Sequence, residues 1–379
     1  MRLSRFAIPM LLCGTATTAQ TPPVISVSPL GASFSPAQQF VTWTAQDVRC
    51  AGVPIAFTQA PPVIPSLEWW NPQFGTKPVG FTFTIDGEGR PLDVARTDKA
   101  FVPAGSDLMP ALVVGRFAPG APRQACTLNF VPSVQPVADA PIPSVLAYIM
   151  FPQQRPSAAM YARVRPAGST CFAPPPQIRT RAYPDFDAIP KQPGRQGWSM
   201  TGFDIDASGK PIHLRHEAGS GNAALDAASL KAVRDSRFAP GARTGCQYPY
   251  WIAPATMPPP PIPEEATFRP ADATCPTKAD WAVKPPLIYP PSFGRRWIEG
   301  WAVIGYDVAP WGATGNVRVL AAQPAAEFGE QAMRMLQSAK RTASATGYVG
   351  CVDRVSFRMP RKGGEARSEA PPPPPPPSF

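Results

Sequence analysis

Histidine is nearly absent: the 379-residue chain has 2, His213 and His216. That leaves little from which to build a Ser-His or Cys-His pair, or a histidine-rich metal centre. On a helix the two would share a face, but the pattern around them is that of a strand. Odd spacing on a strand sends them to opposite faces. Long apolar runs are missing as well, and none approaches the ~20 residues that a membrane-spanning helix needs. Charged residues make up 16% of the chain, without the basic block interleaved with aromatics that nucleic-acid binding requires. No G-x-S-x-G, P-loop or CxxC sequence occurs. Asp204, Asp206, Ser208 and Gly209 imitate the start of a calcium loop. The twelfth position, where a glutamate is needed, is Arg215. A strand ending in a polar turn is the simpler reading. These absences point to a non-enzyme with no cofactor and no metal.

Proline is plentiful instead, at 54 residues, well above its ordinary share of about 5%. The hydrophobic fraction of 44% still permits packed cores, so the prolines belong in linkers and at strand edges. The length suggests two or three domains. The clearest pattern lies in 298–360. The runs 301–308 and 316–320 alternate apolar and polar residues across a glycine-bearing turn, which is a hairpin signal. Phe328, Ala332, Met335, Leu336 and Ala339 follow at the spacing of an amphipathic helix. A last alternating run covers 352–358. The order strand, strand, helix, strand recurs twice upstream. The expected fold class is therefore α+β: three tandem small domains, each a β-β-α-β unit with a short antiparallel sheet and one packed helix.

Cysteine spacing follows the same register. Of seven cysteines, Cys13 lies near the N-terminus. Cys50 to Cys126 spans 76 residues, Cys171 to Cys246 spans 75, and Cys275 to Cys351 spans 76. Six cysteines allow fifteen pairings. The repeat register selects Cys50–Cys126, Cys171–Cys246 and Cys275–Cys351, one bond per unit. In the loop-entropy model, closing a loop of that size stabilises by roughly 4–5 kcal/mol.

The expected organisation runs as follows. Arg2 and Arg5, a short apolar stretch from Ala7 to Gly14 and small residues at Ala16 or Ala19 read as a secretory signal over 1–19. Its removal lowers the net charge from +10 to +8. A first, divergent unit covers 33–132, with a strand near Phe40 to Thr44. Its helix, between Asp107 and Gly115, is kept short by Pro110. A proline-rich connection follows over 133–157, where the apolar run Ser144 to Phe151 reads as an added edge strand in preference to a membrane contact. The second unit covers 158–253, with Asn222 as N-cap of its helix. Pro254 to Pro263 reads as a semi-rigid polyproline spacer. The third unit covers 264–360. A disordered tail, 361–379, ends in Pro371 to Pro377. The echo RPAxxTC, at Arg165 to Cys171 and at Arg269 to Cys275, fixes the register of the last two units.

One set of residues carries a family resemblance. Tyr289, Pro290, Ile298, Glu299, Gly300 and Trp301 open it, followed by Tyr306, Asp307, Val308, Gln323 and Pro324. Phe328 to Ala332, then Lys340 and Arg341, complete it. In this order they resemble the TonB C-terminal domain family, most strongly over 286–360. Phe203 to Gly209 with Leu225 to Pro240 repeat the order, as do Phe81 to Gly89 with Arg116 to Pro119. The resemblance implies a periplasmic protein linked to TonB-dependent transport. It binds extended peptide segments, such as outer-membrane receptor N-termini, by strand addition at its last strand. Carried over by position, the candidate strands are 351–357, 246–251 and 126–130. The partner-binding residues are Val352, Arg354, Ser356, Tyr289, Pro290, Tyr248 and Tyr250. Two departures stand against full transducer function. A cleavable leader replaces the membrane helix of a transducer, the alternative being an uncleaved inner-membrane anchor. Three units also stand where transducers carry one. The rival reading is a structural envelope scaffold contacting peptidoglycan or other envelope components through its positive charge.

Overall fold

The chain divides into Met1–Pro36 and Ala37–Phe379. A computed structural model describes residues 38–69, 77–152, 155–172, 174–276 and 280–360, all in the second unit. The leader and the proline tail expected from the sequence lie outside the described residues.

The first segment carries β1 (Gln38–Cys50), β2 (Val53–Pro54), β3 (Phe57–Gln59), β4 (Ser66–Trp69), β5 (Val79–Ile85) and β6 (Pro91–Arg96), then α1 (Leu108–Val114), β7 (Arg116–Phe117) and β8 (Arg123–Pro136). Two helices follow, α2 (Ile142–Met150) and α3 (Ala158–Val164). The second segment contains β9 (Ile178–Thr180), β10 (Gly197–Ile205), β11 (Pro211–Gly219), α4 (Ala223–Asp235), β12 (Arg237–Phe238) and β13 (Arg243–Ile252). The third contains β14 (Trp281–Val283), a single helical turn α5 (Pro291–Gly294), β15 (Gly300–Val308), β16 (Thr314–Gln323), α6 (Ala326–Gln337), β17 (Lys340–Arg341) and β18 (Tyr348–Phe357). The result is a mixed α+β architecture of small antiparallel sheets and few helices.

In each segment the first hairpin strand is central. The orders are β6-β5-β8, β11-β10-β13 and β16-β15-β18, all antiparallel. Period-two patterning explains β5: Val79, Phe81, Phe83 and Ile85 are buried, while Thr82 between them is exposed. β10 and β15 are buried on both faces. The helices bury the stripe that the sequence foretells. In α6 it is Phe328, Ala332, Met335 and Leu336. Asn222 caps α4, its side-chain oxygen accepting from the Leu225 N–H at 3.1 Å. Each hairpin turn ends in a glycine whose carbonyl accepts from the short strand after the helix: Gly89 from Phe117, Gly209 from Phe238, Gly312 from Arg341. Gly209 has φ +90°, and a Cβ there would lie 2.1 Å from the Phe238 carbonyl oxygen. Only glycine fits. Three disulfides, Cys50–Cys126, Cys171–Cys246 and Cys275–Cys351, tie each segment's lead-in to the start of its last strand.

Two sequence expectations are corrected. The run Ser144 to Phe151 is not an edge strand but most of α2. Pro143 sits in the first turn, where a missing N–H costs nothing. Val145, Leu146, Tyr148, Ile149 and Met150 are all buried. With α3, the helix packs in one core cluster with Phe40, Leu67, Trp198, Met200 and Ala218. A continuous apolar run reads alike as a buried strand or a buried helix, and here most of the run is buried. The stretch Pro254 to Pro263 is also no free spacer. Met257 donates to the Trp297 carbonyl at 2.9 Å and accepts from the Glu299 N–H at 3.0 Å. The Trp301 indole N–H donates to the Pro260 carbonyl at 2.9 Å.

The first and third segments share one hydrophobic core. All three segments meet at Arg296, whose side chain is 2% exposed. Its Nε donates to Asp107 Oδ1 at 2.7 Å and its Nη2 to Asp107 Oδ2 at 2.6 Å. It also donates to the carbonyls of Gly194 and Pro62. Asp107 stands at the N-terminus of α1 but spends its carboxylate on Arg296 and on the Ile64 N–H rather than on capping.

Candidate strand-accepting edge

The last strand of each sheet begins the same way. A residue with positive φ precedes the second cysteine: Ala125 at 51°, Gly245 at 69° and Gly350 at 70°. In the last two segments an aspartate of the central strand holds that kink. Asp204 Oδ1 accepts from the Gly245 N–H at 2.8 Å, and Asp307 Oδ1 from the Gly350 N–H at 2.9 Å. His213 and Asn316 occupy the second carboxylate oxygens. The Gly245 N–H bond, then His213, keeps the Asp204 carboxyl below its usual range. Asn316, then Gly350, does the same for Asp307. His213 therefore serves this turn, while His216 lies 3.5 Å from Asp226. Asp206 is a turn carboxylate that accepts from the Ser208 and Lys210 N–H groups.

The TC dipeptide of the sequence echo has a matching role. Thr170 donates its N–H to the Thr244 carbonyl, and its hydroxyl accepts from the Thr244 N–H. Thr274 makes the same two bonds to Val349. These stubs occupy the outer side of β13 and β18 only at their starts. Beyond them, β13 pairs only with β10 and β18 only with β15 among the described strands. In the first segment that lane is full. β1 runs antiparallel along β8 from Cys50↔Cys126 to Gln39↔Pro136. The stretch 126–130 is thus an inner strand, which corrects the expectation that it is an edge.

The sequence-predicted site residues fall into two groups. Arg354 and Ser356 are exposed on β18. Val352 is buried on the face away from α6, with Trp301, Val303, Ile262 and Phe268. Arg354 donates to the Pro263 carbonyl at 3.4 Å and lies 3.7 Å from the Glu264 carboxylate. Tyr289 is turned inward: its hydroxyl donates to the Ile298 carbonyl, and its ring meets Phe328 and Phe357 edge-on. Burial pushes its hydroxyl pKa up. Pro290 is buried at the start of α5. Tyr250 is buried as well, donating to the Ala182 carbonyl at 3.0 Å, and burial raises its pKa. Tyr248 is half-buried beneath the Arg181 guanidinium, 4.8 Å from the ring centroid. So β18 brings Val352, Arg354 and Ser356 together, while Tyr289 and Pro290 support the core beside it. Sequence reasoning missed Glu264 and the 3-10 turn Glu265–Phe268, which cover the outer face of β15 and β18. Nothing in their local pattern signals that packing.

Strand-strand-helix-strand units with an open last strand form a class of small α+β interaction domains. Residues 182–255 match the family described as Gram-negative bacterial TonB protein C-terminal, so this stretch, which contains β10, β11, α4 and β13, is a domain of the TonB C-terminal family. No curated protein matches the chain.

Proposed function

We propose that the chain is a non-enzymatic cell-envelope protein of the TonB-like kind, with three TonB-like units. It binds extended peptide segments of protein partners by strand addition, in connection with TonB-dependent transport. The units correspond to 33–132, 158–253 and 264–360, and the envelope compartment is the periplasm. Support for an oxidising compartment comes from the three disulfides. Among the described residues, no helix is long and apolar enough to cross a membrane.

One observation carries the reading. The lane beside β8 is filled by β1, an extended strand of the same chain. Among the described residues, the equivalent lanes beside β13 and β18 are paired only at their starts, by a threonine stub. A strand edge with unpaired N–H and C=O groups accepts an extended segment through backbone hydrogen bonds. N-terminal segments of outer-membrane receptors are the partners this reading favours. The test is a photo-crosslinking residue at Ser356 in living cells, with captured segments identified by mass spectrometry. Capture of a receptor N-terminal segment supports the proposal. Capture of the chain's own residues alone means the edge is closed, and the scaffold reading then leads. That reading predicts salt-sensitive co-sedimentation with purified cell wall.

A further inference from the structure

The three last strands are not equivalent. Aligned on the second cysteine of each disulfide, Asn129 of β8, Pro249 of β13 and Arg354 of β18 occupy one position. Their partners on the central strands are Gly80, Met200 and Val303. Proline is tolerated in a strand where its nitrogen faces away from the paired neighbour. Pro249 is paired with Met200 inside the β10–β13 ladder, so its nitrogen faces the outer side of β13, where the residue is itself buried. That lane lacks a central donor, and the pyrrolidine ring stands in the way of an incoming strand. β18 has no proline between Tyr348 and Phe357. In the same register the N–H groups of Val352, Arg354 and Ser356 face outward.

We propose that β18 alone is the accepting edge of this protein: β1 closes the first lane and Pro249 closes the second. This rests on the strand-addition reading above. The occupant is an extended peptide with alternating chemistry. β1 supplies the template, since it already fills the corresponding lane. It turns Val41, Trp43 and Ala45 to the core, while Thr44 and Gln46 are exposed. Beside β18 the helix-side neighbour is Val355, half-buried against the shared core. Leu287 and Ile288 are exposed in the segment that leads to Tyr289. Tyr289 in turn packs on Phe357 at the end of β18. The peptide therefore presents apolar residues on the helix side. On the opposite side it presents a polar or acidic residue to Arg354, whose present partner, the Glu264 carboxylate, is 83% exposed.

The experiment uses the full chain and a synthetic peptide with the β1 sequence, residues 38–49, followed by amide hydrogen exchange. At saturating peptide, exchange across 351–357 slows at least tenfold, and exchange across 246–252 is unchanged. Arg354→Pro removes the protection. The fold tolerates this change because Pro249 stands at the equivalent position, and the thermal midpoint checks it. Pro249→Thr, which leaves β18 untouched, adds protection across 246–252. Equal protection of both strands in the unaltered chain, or protection that persists in Arg354→Pro, overturns the assignment to β18. Protection of neither strand overturns strand addition itself, and this inference with it.

Discussion

Replacing Arg296 with methionine removes a side chain of the third segment that bonds to both of the others. The Arg296–Asp107 pair is bidentate, at 2.6 and 2.7 Å, with side-chain exposures of 2% and 3%. Such a pair repays its own desolvation only while both partners are present. Removing one leaves the other buried and uncompensated, at a cost of about 3–5 kcal/mol. In Arg296→Met, Asp107 retains only the Ile64 N–H at 2.8 Å, and the carbonyls of Gly194 and Pro62 lose a donor. The expected loss is therefore in the upper part of that range. The double variant Arg296→Met with Asp107→Leu exchanges the pair for apolar groups. It recovers most of the loss, because the stranded carboxylate is gone. Urea unfolding followed by far-UV circular dichroism measures both. A loss below about 1 kcal/mol in the single variant, or no recovery in the double, refutes the reasoning.

Replacing Cys275 and Cys351 with serine lowers stability by roughly 4–5 kcal/mol on the loop-entropy estimate, read as a shift of the urea midpoint relative to the oxidised chain. Gly209→Ala places a Cβ 2.1 Å from the Phe238 carbonyl oxygen at φ +90°. It costs more than about 1 kcal/mol, whereas Gly315→Ala, with open space around it, leaves the thermal midpoint nearly unchanged. Glu327 in the first turn of α6 has its pKa raised, chiefly by burial, with the Ser292 hydroxyl opposing. A carboxyl raised in the folded state binds its proton more tightly there than in the unfolded chain. Its contribution is full below the unfolded pKa and is lost as pH rises through the folded one. Glu327→Gln is then more stable than the unaltered chain at neutral pH, and the difference shrinks as pH falls towards 4. A difference that grows on acidification contradicts the sign.

Much of this architecture was legible because its determinants are local. The alternation in 301–308 requires a strand. The spacing Phe328, Ala332, Met335, Leu336 requires a helix with one buried stripe. Asn222 before α4 requires a cap. The cysteines needed the repeat register in addition to the local pattern, since spacing alone left fifteen pairings open. The edge residues were legible only in part. Arg354 and Ser356 lie exposed on β18, but Tyr289 and Tyr250 turn inward to bond backbone carbonyls. A YP or YPY sequence does not reveal which way its rings face.

The sequence by itself determined the strand-strand-helix-strand order within each repeat and the turn glycines, since these follow from backbone sterics and hydrophobic periodicity within short windows, and the repeat register added the cysteine framework. Only the tertiary structure decided that α2 is a helix, because a short continuous apolar run carries no polar positions from which to read a period. It alone decided that β1 lies along β8, that Met257 and Pro260 strap onto the third segment, and that Arg296 meets Asp107 across 189 residues. Contacts of that range depend on the position of every intervening element. No local pattern encodes them, and they determine which of the described strands are paired on both sides.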